Sequence, residues 1–175
     1  MNVLYVASDQ PRAGKTALCT ALAHELKQQG QRTIVLKPPP ADAEPGADTD
    51  AAIYESLTGQ SEADWPFPPL DGGLTPELVS EIKDASARLS EGQDVLLIEG
   101  ASGVPNDASG QLVDALDARV LVVSQYRPDL QASDLTRWRE LFSERLLGFI
   151  VNGLTRHGGA NITNGLLASM SSDGL

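Results

Sequence analysis

Asn2-Val3-Leu4-Tyr5-Val6-Ala7, then Ser8-Asp9-Gln10-Pro11-Arg12-Ala13-Gly14-Lys15-Thr16, is the stretch on which the fold turns. The first part is a short apolar run with β-branched and aromatic members, the signature of a buried strand. Ser8–Gly14 is rich in turn formers. Lys15–Gln29 then carries Leu18, Leu22 and Leu26 at i, i+4 and i+8, one face of a helix that Gly30 stops. A strand, a tight turn and a helix in that order form one half of a βαβ unit.

The same alternation continues outward. Thr33–Leu36, Val95–Ile98, Val120–Val123 and Phe149–Val151 read as further apolar strands. Lys37-Pro38-Pro39-Pro40 ends the second, because consecutive prolines cannot donate to a sheet. Asp50–Leu57 reads as a short helix ending near Gly59. Thr75-Pro76-Glu77 supplies a capping hydroxyl and a proline at the first helical position, ahead of an apolar stripe of Leu78, Ile82, Ala85 and Leu89. Leu135, Trp138 and Phe142 repeat at helical spacing behind Ser133. Residues 38–49 and 61–73, rich in Pro, Ala, Asp and Gly, read as long loops. Five apolar strands alternating with helices imply a three-layer α/β/α domain with a mainly parallel sheet.

Composition bounds the rest. The chain has 175 residues, 13 Lys+Arg against 24 Asp+Glu, and a formal net charge of −11. That length suits one domain, and a chain of about 150 residues buries roughly 70% of its unfolded surface. The acidic balance argues against nucleic acid and anionic membrane as partners. Nothing approaches the ~20 consecutive apolar residues of a membrane span, and the N-terminus lacks a signal-peptide pattern. The one cysteine, Cys19, can form neither an intrachain disulfide nor a cysteine-based zinc site; helix packing is its plainest role. A cytoplasmic location is the expectation. Residues 1–154 are read as one nucleotide-binding domain. Residues 155–175 form a C-terminal segment that stops where another strand is expected, which suggests an excised domain with a further domain in the same polypeptide.

Gly14-Lys15-Thr16 at a strand–helix junction is the end of a phosphate-binding loop. Gly14 lets the backbone approach phosphate, Lys15 reaches the β/γ-phosphates and Thr16 offers a hydroxyl to Mg²⁺. The N–H groups and dipole of the helix start add to an anion site. The strict pattern G-x-x-x-x-G-K-[ST] asks for Gly at position 9, where this chain has Asp.

These residues bring a resemblance into view. Five residues, Asp9–Ala13, separate Ser8 from Gly14-Lys15-Thr16, a lengthened loop similar to that of dethiobiotin synthetases. It is more similar still to the related N-terminal domain of long phosphate acetyltransferases, in which Ser starts the loop and Pro sits inside it, as Ser8 and Pro11 do here. The resemblance covers most of residues 1–154 and implies a P-loop NTPase fold that binds ATP and Mg²⁺. It implies that Ser8, Pro11, Arg12, Ala13, Gly14, Lys15, Thr16 and Ala17 hold the nucleotide. Lys37-Pro38 resembles the Lys-Pro whose lysine contacts phosphate and the reacting carbamate, so Lys15 and Lys37 become the catalytic candidates. Thr49-Asp50-Ala51 and Glu99-Gly100-Ala101 resemble segments whose carboxylates hold Mg²⁺, giving Thr16, Asp50 and Glu99 as metal candidates. Asn152 resembles the asparagine that recognises adenine.

Read by residue alone, several of these positions keep a plainer meaning. Lys37 suits a solvated strand end, Asp50 a helix cap, and Asn152-Gly153 a turn. Glu99 is different, because a carboxylate directly after four apolar residues is costly without a partner. His24 and His157 have no partners at ligand spacing and read as surface residues. Where the enzyme continues with a small-residue substrate segment, this chain has Pro38-Pro39-Pro40-Ala41-Asp42, and Ser102 intervenes before Gly103. Three functions follow as expectations: an ATP/Mg²⁺-binding regulatory or sensory module of a larger phosphate acetyltransferase-like protein, an ATP-dependent ligase acting on a small acid or amine, or an interaction domain with a degenerate loop. A homodimer is implied by the resemblance to the synthetases.

Overall fold

The computed structural model describes residues 2–37, 53–56, 74–89, 91–100 and 106–154. Within them run β1 (Asn2–Ser8), α1 (Lys15–Gln28), β2 (Thr33–Leu36), α2 (Pro76–Leu89), β3 (Val95–Glu99), α3 (Asn106–Ala115), β4 (Arg119–Gln125), α4 (Ala132–Phe142) and β5 (Leu146–Asn152). All five expected strands are present, and all pair in parallel in the order β2-β3-β1-β4-β5. The chain leaves β1 toward β2 at one edge and leaves β4 toward β5 at the other. The connections that leave the carboxyl ends of these neighbouring strands therefore run in opposite directions, and such a switch point opens a crevice where ligands bind.

Alternation along the strands splits the core. Val3, Tyr5 and Ala7 of β1, with Ile34, Leu96, Ile98, Val120 and Val122, pack against Ile82 and Ala85 of α2, Leu112 and Val113 of α3, and Trp138 and Phe142 of α4. Val6, Val35, Val95, Leu97 and Val123 face the other way, against Cys19 and Ala23 of α1 and Tyr54 of the helical residues 53–56. All five residues of β3 are buried, which is why its run is apolar without alternation.

Two local features go beyond the sequence reading. The fully buried line of α1 is Lys15, Cys19 and Ala23, while Leu18, Leu22 and Leu26 flank it, partly buried. Small residues let the helix axis come close to the sheet, and the leucines fill its shoulder. Second, α3 has no counterpart in the sequence reading. Its stretch contains Asp107, Ser109 and Gly110, weak helix formers, and is held by the burial of Leu112 and Val113. The start of α2 is as read: the Leu78 N–H donates to Thr75 Oγ1 at 3.3 Å. His24 is exposed and Cys19 buried, as read. The loops at 38–49 and 61–73, His157 and the segment 155–175 lie outside the described residues. No helix among the described residues is long and apolar enough to cross a membrane.

Gly100 fixes how the chain leaves β3. Its N–H donates to the Val6 carbonyl at 2.9 Å, and a Cβ there would sit 2.8 Å from both the Tyr5 hydroxyl and that carbonyl. Gly100→Ala should therefore lower unfolding stability by about 1–3 kcal/mol, the usual cost of overpacking. Urea denaturation followed by circular dichroism measures it, and an unchanged midpoint would refute the close packing at this exit.

Candidate functional site

The parallel register carries the candidate residues to one edge. Val6 pairs with Glu99 and Ser8 with Val123; Gln125 pairs with Asn152, the last residue of β5. Lys37 directly follows β2. The sheet's carboxyl edge therefore presents Ser8, Lys37, Glu99 and Asn152 around the loop that leads into α1.

That loop has the backbone that a phosphate site needs. Gly14 has φ 103° and Arg12 φ 61°. For Arg12 this is a conformation that few residues with a Cβ adopt. At Gly14 a Cβ would also collide with the Asn152 side-chain amide, so glycine is required twice over. Ala13 is fully buried and anchors the loop in the α1-side core. The first helical hydrogen bond runs from Leu18 N to Gly14 O at 3.0 Å. The first turn of α1 carries no acidic residue and Gly14 makes no side-chain cap, a helix start whose dipole suits an anion. Pro11, Arg12 and Ala17 are exposed.

Charge is concentrated beneath this loop. Lys15 is 5% and Glu99 4% exposed. Lys15 Nζ donates to Ser8 Oγ at 2.8 Å, and Ser8 Oγ donates to the Gln10 carbonyl at 2.9 Å. Thr16 Oγ1 donates to Glu99 Oε1 at 2.9 Å, Lys37 Nζ lies 3.9 Å from the same oxygen, and the Tyr54 hydroxyl donates to Glu99 Oε2. Burial pulls the Lys15 ammonium below the usual lysine range; the Glu99 charge opposes that shift and Lys37 adds to it. The Cys19 thiol beside them is pushed up, first by burial and then by Glu99, so it remains an inert packing group.

Five of the expected residues thus meet in one place: Ser8, Lys15, Thr16, Lys37 and Glu99. Asn152 meets the loop from the side, its amide donating to the Ala13 carbonyl at 3.0 Å and its oxygen accepting from the Gly153 N–H at 2.8 Å. Asp50 lies outside the described residues. Tyr54 was missed by sequence reasoning because nothing in Ile53-Tyr54-Glu55 marks it; only the fold carries it 45 residues along to Glu99. Arg127 was missed likewise. It sits two residues past β4 and pairs with Asp9 of the loop at 3.2 Å.

The donor set suits Mg²⁺. Among the described residues no three His, Cys, Asp or Glu side chains cluster, and the oxygens gathered here are the Glu99 carboxylate and the Thr16 and Tyr54 hydroxyls. Mg²⁺ keeps most of its shell in water and phosphate and takes one or two protein oxygens of this kind, whereas a zinc site asks for three or four side-chain ligands, at least two of them His or Cys in the usual sets.

With this geometry in place, the comparisons fall into line. A family model described as an AAA domain matches residues 2–171. The ATP-dependent dethiobiotin synthetase of Streptomyces avermitilis is 34% identical over 166 residues, covering 85% of this chain and 69% of that protein. The ATP-dependent dethiobiotin synthetase of Rhodococcus jostii is 31% identical over 140 residues, covering 71% of this chain and 61% of its own length. Among solved structures, the BceF tyrosine kinase domain superposes with a TM-score of 0.58 at 20% identity over 88% of this chain and 69% of that one, a likeness of fold. The chain belongs to the dethiobiotin synthetase-like family of P-loop NTPases.

Proposed function

We propose that the chain binds ATP together with Mg²⁺ at this edge and serves as a nucleotide-binding regulatory or sensory module of a larger phosphate acetyltransferase-like protein. The observation that carries the nucleotide reading is the convergence of Lys15, Lys37, Thr16 and Glu99 beneath a loop whose Gly14 backbone is left-handed. Lys15 and Lys37 are the cations for the β- and γ-phosphates, and the first-turn N–H groups of α1 complete the cradle. Thr16 and Glu99 are the oxygen ligands for Mg²⁺, with Asp50 as the further carboxylate. When bound, Mg²⁺ supplies charge neutralisation to the phosphates. The regulatory role is supported by Ser8 and Pro11 in the loop and by the proline run 38–40 in place of a small-residue substrate segment.

A second reading is an active ATP-dependent ligase, in which a small acid or carbamate is phosphorylated and then captured by an amine. The Streptomyces and Rhodococcus relatives, named as dethiobiotin synthetases, favour it, and so does the position of Lys37. Two lysines flanking the transferring phosphoryl group suit a reaction that is mostly positioning and charge stabilisation. Product analysis with ATP, diaminopelargonate and bicarbonate separates the readings. Dethiobiotin and ADP would establish the ligase, whereas ATP binding without turnover supports the module.

Three substitutions test the site by calorimetry. Lys15→Ala should abolish measurable ATP affinity, since a buried charge-assisted phosphate contact is lost; retained affinity would remove Lys15 from the phosphate site. Glu99→Gln should weaken ATP binding mainly when Mg²⁺ is present, and an equal loss in EDTA would mark Glu99 as structural. Asn152→Ala should narrow the preference for ATP over GTP. An unaltered ratio would leave Asn152 only its hold on the Ala13 carbonyl.

A further inference from the structure

Asp9 is out of character for an anion-binding loop. It stands where the strict pattern has glycine, its side chain is 6% exposed, and its charge reaches the Lys15 ammonium. Its Oδ1 is buried with no hydrogen-bond partner among the described residues. Its Oδ2 is held by Arg127 Nη1 at 3.2 Å. The same guanidinium donates from Nη2 to Asp134 Oδ2 at 2.8 Å. Asp134 in turn accepts from the Gln131 backbone N–H, closing the capping box at the start of α4. Arg127 Nε lies 3.6 Å from Asp129, whose side chain is 81% exposed, a pairing that solvent weakens.

We infer that Arg127 is a positioning residue of the nucleotide site, cancelling the Asp9 carboxylate so that a nucleoside polyphosphate can enter the loop and tying that loop to the start of α4. This rests on the nucleotide reading above. A carboxylate buried beside a polyphosphate repels it at short range, where water screens little. A buried charge stripped of its partner is strongly unfavourable. Arg127 removes both penalties, and its fork joins two carboxylates from separate elements, as a lysine cannot.

The test is calorimetric titration of MgATP into the 175-residue chain and four variants, with melting temperatures recorded for each. Arg127→Ala should weaken MgATP by about tenfold, through the uncovered Asp9 charge, and Arg127→Lys by about threefold. Asp9→Asn should bind at least as tightly as the unaltered chain. The double variant Asp9→Asn/Arg127→Ala should return to within about threefold of it, because the buried Asp9 charge is no longer present to be uncovered. That recovery is the decisive readout, since an arginine that only braces the fold would cost the same in either background. It also keeps the test open should Arg127→Ala alone fail to fold. Unchanged affinity in Arg127→Ala, or no recovery in the double variant, overturns the role of Arg127. Absence of MgATP binding by the unaltered chain overturns the nucleotide reading and this inference with it, so the two failures are told apart.

Discussion

The carboxylate of Glu99 is the constraint around which the molecule is arranged. It closes a strand buried along its whole length, and an ion in that position is tolerated only if its neighbours satisfy it. They come from three segments: Thr16 and the charge of Lys15 from α1, Lys37 after β2, and Tyr54 from residues 53–56. None of these partners is close to Glu99 in sequence. The sheet order brings them together, because β3 lies between β2 and β1, with β2 and β3 ending within a residue of each other and β1 running two residues further. Fold and site are thus one problem of neutralising a buried charge.

The phosphate loop depends on a second close approach. Gly14, Ala13 and Asn152 interlock: the glycine leaves room for the asparagine amide, and that amide holds the Ala13 carbonyl. The loop is therefore braced from β5 at one end and, through Asp9 and Arg127, from the segment after β4. A backbone cradle serves an anion only if it is already shaped for it, since a floppy loop pays the ordering cost on binding.

The strands were legible because a doubly covered sheet writes its burial as unbroken apolar runs; Val95–Ile98 is the clearest case. The site was legible where local chemistry is specific, as in Gly14-Lys15-Thr16, or where physics forbids the bland meaning, as at Glu99. Legibility ended where tertiary contact replaces pattern. The α3 helix has Gly110 in its midst and owes its existence to the packing of Leu112 and Val113. Tyr54 and Arg127 are ordinary surface-type residues until topology sets them against Glu99 and Asp9. The leucines of α1 mark the right face of that helix but not its centre, because closeness to the sheet is achieved by Cys19 and Ala23, whose small size carries no periodic signal.

The chain's overall charge sharpens what the site has to do. At −11 the molecule repels a polyphosphate at long range, and over more than about 10 Å that repulsion is screened at ordinary ionic strength. Attraction must then be built from groups within a few ångströms and shielded from solvent. Lys15 is buried and Lys37 is 22% exposed, and both stand beside a helix start free of acidic residues. The two carboxylates that intrude, Glu99 and Asp9, differ in consequence. Glu99 is satisfied by Thr16, Tyr54 and Lys37. Asp9 has Arg127 instead, so its charge is met by a protein cation from the segment that follows β4. In an acidic protein, the sign of the local field at the loop is set by which carboxylates are paired and on which side.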